Sequence, residues 1–162
     1  MRKKLFRIVL HILALACMVL IFSFSAQDAE RSTGVSGGVA KGVARIFVRG
    51  FDEMPEHEQE QLIASWQHAV RKNAHFFVYM LLGVLTMATL LTYGFKLMFK
   101  VIVAFSIVVL YAVSDEIHQF FVPGRSCMFG DVLIDTAGSS LGMLVVVAVR
   151  CVIPTIRARR RR

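Results

Sequence analysis

Apolar positions along this chain gather into four runs, each about long enough to cross a bilayer. Leu5 to Phe24 is a 20-residue run broken only by Arg7, His11 and Ser23. At about 1.5 Å per residue, a helix of that length covers roughly 30 Å, the thickness of a hydrocarbon core. Ala74 to Tyr93 forms a second run, with His75 near its start. Leu97 to Ile117 forms a third, with Lys100 placed to snorkel at one end and Asp115 and Glu116 at the other. Val132 to Cys151 forms a fourth, interrupted by Asp135 and Arg150. The pattern predicts an all-α integral membrane protein, one domain over 1–162, with spans at about 5–24, 74–93, 97–117 and 132–151. The first run carries a basic leader and small residues at Ser23, Ser25 and Ala26, as a cleaved signal peptide does. Its apolar stretch exceeds the usual signal core of roughly 7–15 residues, so it is read as a retained helix.

The loop between the first two spans, residues 25–73, has its own pattern. A Ser/Gly-rich stretch, Ser32 to Gly38, is followed by Val39, Val43, Ile46 and Phe47 on one helical stripe, with Lys41, Arg45 and Arg49 off it. Asp52–Glu53–Met54–Pro55 breaks the chain. Pro55 suits a first helical position, and Glu56, Glu58 and Glu60 suit the positive end of the helix that follows. Leu62, Trp66 and Val70 carry an apolar stripe into the second span. Two amphipathic helices at the interface are predicted, with Trp66 as an aromatic anchor. They either cover the bundle or form a lid over an outer site.

Composition agrees with this reading. Hydrophobic residues make up 56% of the chain and charged ones 19%, and mean hydropathy is +0.62. Those values exclude a disordered chain and a disulfide scaffold. Net charge is +8, which by itself would suit a nucleic-acid binder, but the distribution of charge excludes that partner. With the N-terminus in the cytoplasm and the runs crossing in alternation, the inner side receives Arg2, Lys3, Lys4, Arg7, Lys96, Lys100, Arg150, Arg157 and Arg159 to Arg162. That is twelve bases and no acid, which leaves seven of the nineteen bases and all eleven acids outside or at helix mouths. This split is the positive-inside signature of a multi-pass membrane protein with both termini cytoplasmic. The basic tail, 152–162, reads as an anchor beside anionic lipid. Cys17, Cys127 and Cys151 share no metal-ligand spacing and lie at different depths, which argues against a disulfide.

Polar residues inside the spans recur at helical spacing. Lys72, His75, Tyr79 and Gly83 share a face of the second span, Tyr111, Asp115 and His118 a face of the third, and Asp131, Asp135, Gly138 and Gly142 a face of the fourth. Every ionisable member sits at the outer end of its helix. Charges near hydrocarbon are costly and face the bundle interior in pairs, so three such faces at one depth predict one polar cluster. Gly138 and Gly142 would allow a neighbouring helix to approach closely. Taken singly the residues read otherwise. Asp131 suits a helix cap, His75 an interfacial histidine and His118 a wet loop. Asp135, one turn deeper than Asp131, needs a partner such as Lys72 or Arg125, or a proton.

Three strings resemble the VanZ-like family. They are Phe22–Ser23–Phe24–Ser25–Ala26–Gln27 after the first span, Arg71 to Tyr79 with its basic-x-x-His-x-x-x-Tyr pattern, and Ser114–Asp115–Glu116–Ile117–His118–Gln119–Phe120–Phe121–Val122–Pro123–Gly124–Arg125 with Asp131, Asp135 and Gly138 beyond it. The resemblance covers nearly the whole chain. It implies a small multi-helix membrane protein associated with resistance to teicoplanin-type glycopeptides. It also implies a polar signature of Lys72, His75, Tyr79, Asp115, Glu116, His118, Gln119, Arg125, Asp131 and Asp135.

Two mechanisms suit such a cluster. As a binding site it would hold a polar or anionic headgroup, with Arg125 clamping phosphate or carboxylate. Membrane lipid, a lipid-linked cell-wall precursor or a glycopeptide would then be the partner. As an enzyme site it would use His75 or His118 as general base, oriented by Asp115 or Asp135. Carboxylates with imidazole also suit a hard divalent ion. No nucleophile elbow, HExxH or Walker loop is present, and the reading assigns no metal or cofactor. The charge split makes the topology testable. On a Cys-free background, Ser36→Cys and Ser126→Cys should react with an impermeant thiol reagent in intact cells, whereas Thr155→Cys should stay protected. Labelling at Thr155→Cys would reverse the assignment.

Overall fold

The computed structural model describes residues 2–27, 29–125 and 128–159, and of residues 29–33, 68 and 153–159 it describes the backbone alone. Among the described residues there are five α-helices: α1 (Arg2–Ser25), α2 (Ala29–Phe47), α3 (Glu56–Leu91), α4 (Leu97–Phe120) and α5 (Phe129–Arg159). A short 3-10 turn, Phe51–Glu53, joins α2 to α3. Among the described residues four segments are long and apolar enough to cross a membrane: Arg2–Ser25, Glu56–Leu91, Leu97–Phe120 and Phe129–Val152. Large apolar side chains such as Leu5, Leu15, Val19, Phe99, Leu110 and Leu144 are exposed on their outer faces. In water this would be an aggregation surface, and in lipid it is the correct exterior.

Three sequence expectations change. The second outer helix and the second span are one continuous helix of 36 residues, α3. Nothing between Pro55 and Thr92 breaks it, since that stretch holds no further proline and its one glycine, Gly83, is packed. At about 1.5 Å per residue its first turns extend well past a bilayer core. The Ser/Gly-rich stretch is likewise helical, because α2 already runs from Ala29. Low helix propensity is offset there by packing on α3. Gly37 lies against α3, where a Cβ would come within 2.7 Å of the end of the Gln67 side chain. α2 turns Ser36, Ala40 and Ala44 inward and leaves Val35, Val39, Ile46 and Phe47 exposed. The third change is at Lys100, which is buried rather than extended to the interface. It opens the stripe Lys100–Ala104–Val108–Ala112–Asp115 that forms the inner face of α4.

α3 and α5 run in the same direction and form the most extensive helix pair. Glycine makes this possible. A Cβ built on Gly83 would collide with the Ser139 carbonyl, one on Gly138 with the Phe76 carbonyl, and one on Gly142 with the Met80 carbonyl. Each obstacle is backbone, which cannot rotate away. The Ser139 hydroxyl donates to the Tyr79 carbonyl at 3.0 Å in the same seam. Small residues with a hydroxyl hydrogen bond are how helices associate where lipid supplies no hydrophobic drive. At the far end α1 is tied to the end of α3. Arg7 donates to the Thr92 hydroxyl and carbonyl and lies over the Tyr93 ring, 4.2 Å from its centroid.

The glycine seam predicts position-specific damage. Gly142→Ala should lower stability in detergent by about 1–3 kcal/mol through overpacking. Gly38→Ala, which meets nothing within 4 Å, should leave stability equal or slightly higher. Thermal unfolding followed by circular dichroism compares the two.

Candidate functional site

The α3–α5 register brings polar residues together in sequence order. Lys72 on α3 meets Asp131 on α5 at 2.8 Å, and one turn deeper the His75 ring nitrogen lies 3.8 Å from Asp135. Asp131 is therefore an ion-pair partner in the first turn of α5. Tyr79, a further turn down α3, is wholly buried, and its hydroxyl has no hydrogen-bond partner. α4 adds Asp115 from the side. One ligand-type atom each from His75, Asp115 and Asp135 lie within 4.8 Å of one another. Asp115 and Asp135 are 2% and 1% exposed, and three of their four carboxylate oxygens accept no hydrogen bond.

The remaining oxygen, Asp115 Oδ2, is held from α1. The Ser25 hydroxyl donates to it at 2.8 Å, and the Gln119 amide, one turn along α4, donates to it at 3.3 Å. Gln119 is fixed in turn by Arg125, whose Nη1 donates to its Oε1 at 3.0 Å. Arg125 also donates to the Gln27 and Phe24 carbonyls at 3.1 and 3.4 Å. These carbonyls lie at and just past the end of α1, where helical acceptors run short of donors, and a guanidinium reaches both at once. A tight turn delivers Arg125 to this place. Pro123 and Gly124 occupy its centre, the Arg125 amide donates to the Val122 carbonyl at 3.1 Å, and Gly124 has φ 74. That is the proline-then-glycine pattern of a type II turn.

Arg125 thus acts first as a staple between α1 and α4, and its clamp-like expectation changes accordingly. Three of its donors are already committed to protein acceptors. Glu116 is buried, and its Oε2 accepts the Met128 amide at 3.0 Å just before α5 begins. His118 does not join the cluster. It lies within α4, not in a loop, and its ring stacks on Phe22 with centroids 4.3 Å apart. Tyr111 is also drawn away, donating to the Met18 carbonyl at 2.6 Å. Both sit on the side of α4 that α1 covers.

Two adjoining cavities open around these groups. One, about 210 Å³, is lined by Arg71, Lys72, His75, Glu116, Asp131 and Asp135 among others. The other, about 180 Å³, is lined mainly by apolar groups, including Ile21, Phe24, Val35, Val39, Val70 and Val78. Arg71, His75 and Arg125 line both, so the polar and apolar chambers share a wall. α2 contributes Val35, Ser36 and Val39 to the apolar one, as a covering element would. Arg71 is the residue that pattern reasoning missed. It makes no hydrogen bond or ion pair among the described residues, and it falls one position off the Lys72–His75–Tyr79 stripe. Its sequence signals are its place beside Lys72 and at the head of the Arg71 to Tyr79 string. Cys127 and Ser126, in the connection from α4 to α5, lie outside the described residues, as do the side chains of the basic tail.

The model of one family, VanZ/LLP1, matches residues 10–150. Comparison with curated proteins and with solved structures finds no match. The matched stretch contains every residue of the cluster and the α1 end that supports it.

The network around Arg125 sets up a comparison of two variants. Arg125→Lys keeps the charge but cannot reach the Gln27, Phe24 and Gln119 acceptors together. It should lower stability by about 1–3 kcal/mol, close to the loss in Arg125→Ala, because part-buried acceptors at Gln27 and Gln119 lose their donor in both. Melting of the two purified variants in detergent checks this, and a lysine variant as stable as wild type would remove the staple role.

Proposed function

Because this chain belongs to the VanZ/LLP1 family, we propose that it is a bacterial cell-membrane protein that binds an amphiphilic, lipid-linked envelope molecule at the cluster around His75, Asp115, Asp135 and Arg71. The observation that carries this reading is the paired cavity. A polar chamber with bases and carboxylates shares a wall with an apolar chamber, which matches a molecule with a polar head and a hydrocarbon chain. Pockets that mix a mainly apolar lining with a few convergent polar groups are the usual form of small-molecule sites. Arg71 supplies positive charge and a fork of donors for a phosphate or carboxylate headgroup, beside the Lys72–Asp131 ion pair. Asp131 and Glu116 restrict which headgroups fit. The twelve-to-zero distribution of bases supports a site open to the outer leaflet with both termini cytoplasmic. Resemblance to the family's teicoplanin-associated members makes lipid-linked wall material the ligand class of choice, with altered exposure to lipophilic glycopeptides as its consequence.

One specific observation favours a second reading, that of a membrane-embedded enzyme. His75 and Asp135 stand as an imidazole–carboxylate pair at the chamber wall, which is the arrangement of a general base and its orienting group.

Native mass spectrometry of the detergent-purified protein should find a co-purifying phosphate-bearing lipid. Val39→Trp, which fills the apolar chamber from α2, and Arg71→Gln should each reduce its occupancy by roughly tenfold, about 1.4 kcal/mol. Expressed at matched levels in a sensitive host, wild type should change teicoplanin susceptibility and both variants should lose the effect. Under the enzyme reading, His75→Ala and Asp135→Asn would instead retain the lipid and stop its conversion. A wild-type protein that carries no amphiphile and leaves susceptibility unchanged would end the binding proposal.

A further inference from the structure

The cluster beneath the polar chamber has a feature that lipid binding does not use. Asp115 and Asp135 come from different helices, are almost completely buried, and direct carboxylate oxygens to within 4.8 Å of each other and of a His75 ring nitrogen. Two buried carboxylates at that distance repel, and among the described residues neither is paired with a lysine or arginine; the base beside them is the His75 imidazole, 3.8 Å from Asp135. The ionised form of such a pair needs a cation between its members. Lys72 is spent on Asp131 at 2.8 Å, and Arg125 donates to Gln119 and to the Gln27 and Phe24 carbonyls. The oxygens left without partners, Asp115 Oδ1 with Asp135 Oδ1 and Oδ2, belong to these two residues, and the orphaned Tyr79 hydroxyl lies within electrostatic reach of both.

We propose that His75, Asp115 and Asp135 bind one divalent transition-metal ion, of the Zn²⁺ or Mn²⁺ class, at the inner end of the polar chamber. One imidazole and two carboxylates form a mixed nitrogen–oxygen donor set, which suits these ions better than the thiolate-preferring ones. A 2+ ion also neutralises the two buried charges, which makes the cluster affordable at membrane depth. The surroundings resemble the outer shell that orients metal ligands. Ser25 and Gln119 hold Asp115 Oδ2, so the same carboxylate presents Oδ1 to the site, and Arg125 fixes Gln119. Three protein donors leave at least one coordination position for water or a ligand oxygen. His75 and Asp135 also line the polar chamber, so that position is placed for a phosphate oxygen. The site goes beyond the lipid-binding reading and stands whatever occupies the chambers.

The test uses full-length protein in detergent, stripped with chelator and then dialysed against Zn²⁺ or Mn²⁺. Elemental analysis should give about one ion per chain. Asp115→Asn/Asp135→Asn should abolish it, while Asp52→Asn, in the distant surface pair with Arg45, should retain it. Because the double variant can fail to fold, single Asp135→Asn and His75→Gln are measured alongside, with circular dichroism and gel filtration as checks. Co²⁺ provides an independent readout: its visible absorption in wild type should shift in His75→Gln, as loss of a nitrogen donor requires. Wild-type protein that takes up no ion, or uptake unchanged in the folded Asp135→Asn variant, would overturn the proposal. So would an infrared protonated-carboxyl band that persists on addition of metal, since that marks a proton shared by Asp115 and Asp135 in place of the ion.

Discussion

Backbone contact between α3 and α5 is the constraint on which the site depends. Gly83, Gly138 and Gly142 let the two helices approach until only hydrogen fits between them, and parallel direction then sets the register of everything above. Gly138 against Phe76 fixes Asp135, three residues earlier, beside His75, the neighbour of Phe76. One turn further out the same register gives Lys72 and Asp131. Had the helices been held apart by methyl groups, the side chains of His75 and Asp135 would face across a wider gap with no partner in reach. In a lipid environment, where apolar burial does not drive helices together, this close packing is also a large part of what keeps the pair associated.

The second support comes from the end of α1. Its final turn and the residues after it supply a hydroxyl from Ser25 and carbonyls from Phe24 and Gln27, and all three are answered by the α4 end and the turn that follows. Arg125 therefore couples backbone satisfaction to site geometry. While donating to the carbonyls at the end of α1 it also orients Gln119, which helps hold Asp115. Buried polar networks of this kind are effective only when complete. Here the network is complete on the α1 side of Asp115 and open on the side of Asp135 and Tyr79. The open side faces the two chambers.

Periodicity explains why much of this was legible without coordinates. Lys72, His75 and Tyr79 at steps of three and four must share a face, and so must Asp131, Asp135 and Gly138. Polar groups in apolar helices must turn inward, and glycines on those stripes mark the close approach. The four spans followed from length and hydropathy, with ends shifted by a few residues: α4 runs on to Phe120, and α5 begins at Phe129. The continuity of α3 was hidden because a change from polar to apolar composition at residue 73 resembles a boundary, although backbone hydrogen bonding is indifferent to it. The helicity of 29–38 was hidden because the intrinsic propensity of a Ser/Gly-rich stretch argues against it, whereas packing of α2 on α3 supports it.

What the sequence determined by itself was the set of inward faces and the end of the bundle at which they carry charge, since both follow from helical geometry and the cost of polarity in lipid. Which residue meets which was decided only by tertiary structure. His118 lies three residues from Asp115 and has equal chemical credentials, but α1 stacks Phe22 on it and removes it from the cluster. Arg71 lies one position off the polar stripe and still lines both chambers. Arg125 looked like a ligand clamp until α1 presented it with two carbonyls. Spacing specifies the angle of a side chain about its own axis. The neighbour waiting at that angle depends on how the other helices rotate and slide, and that is set by packing between segments far apart in the chain.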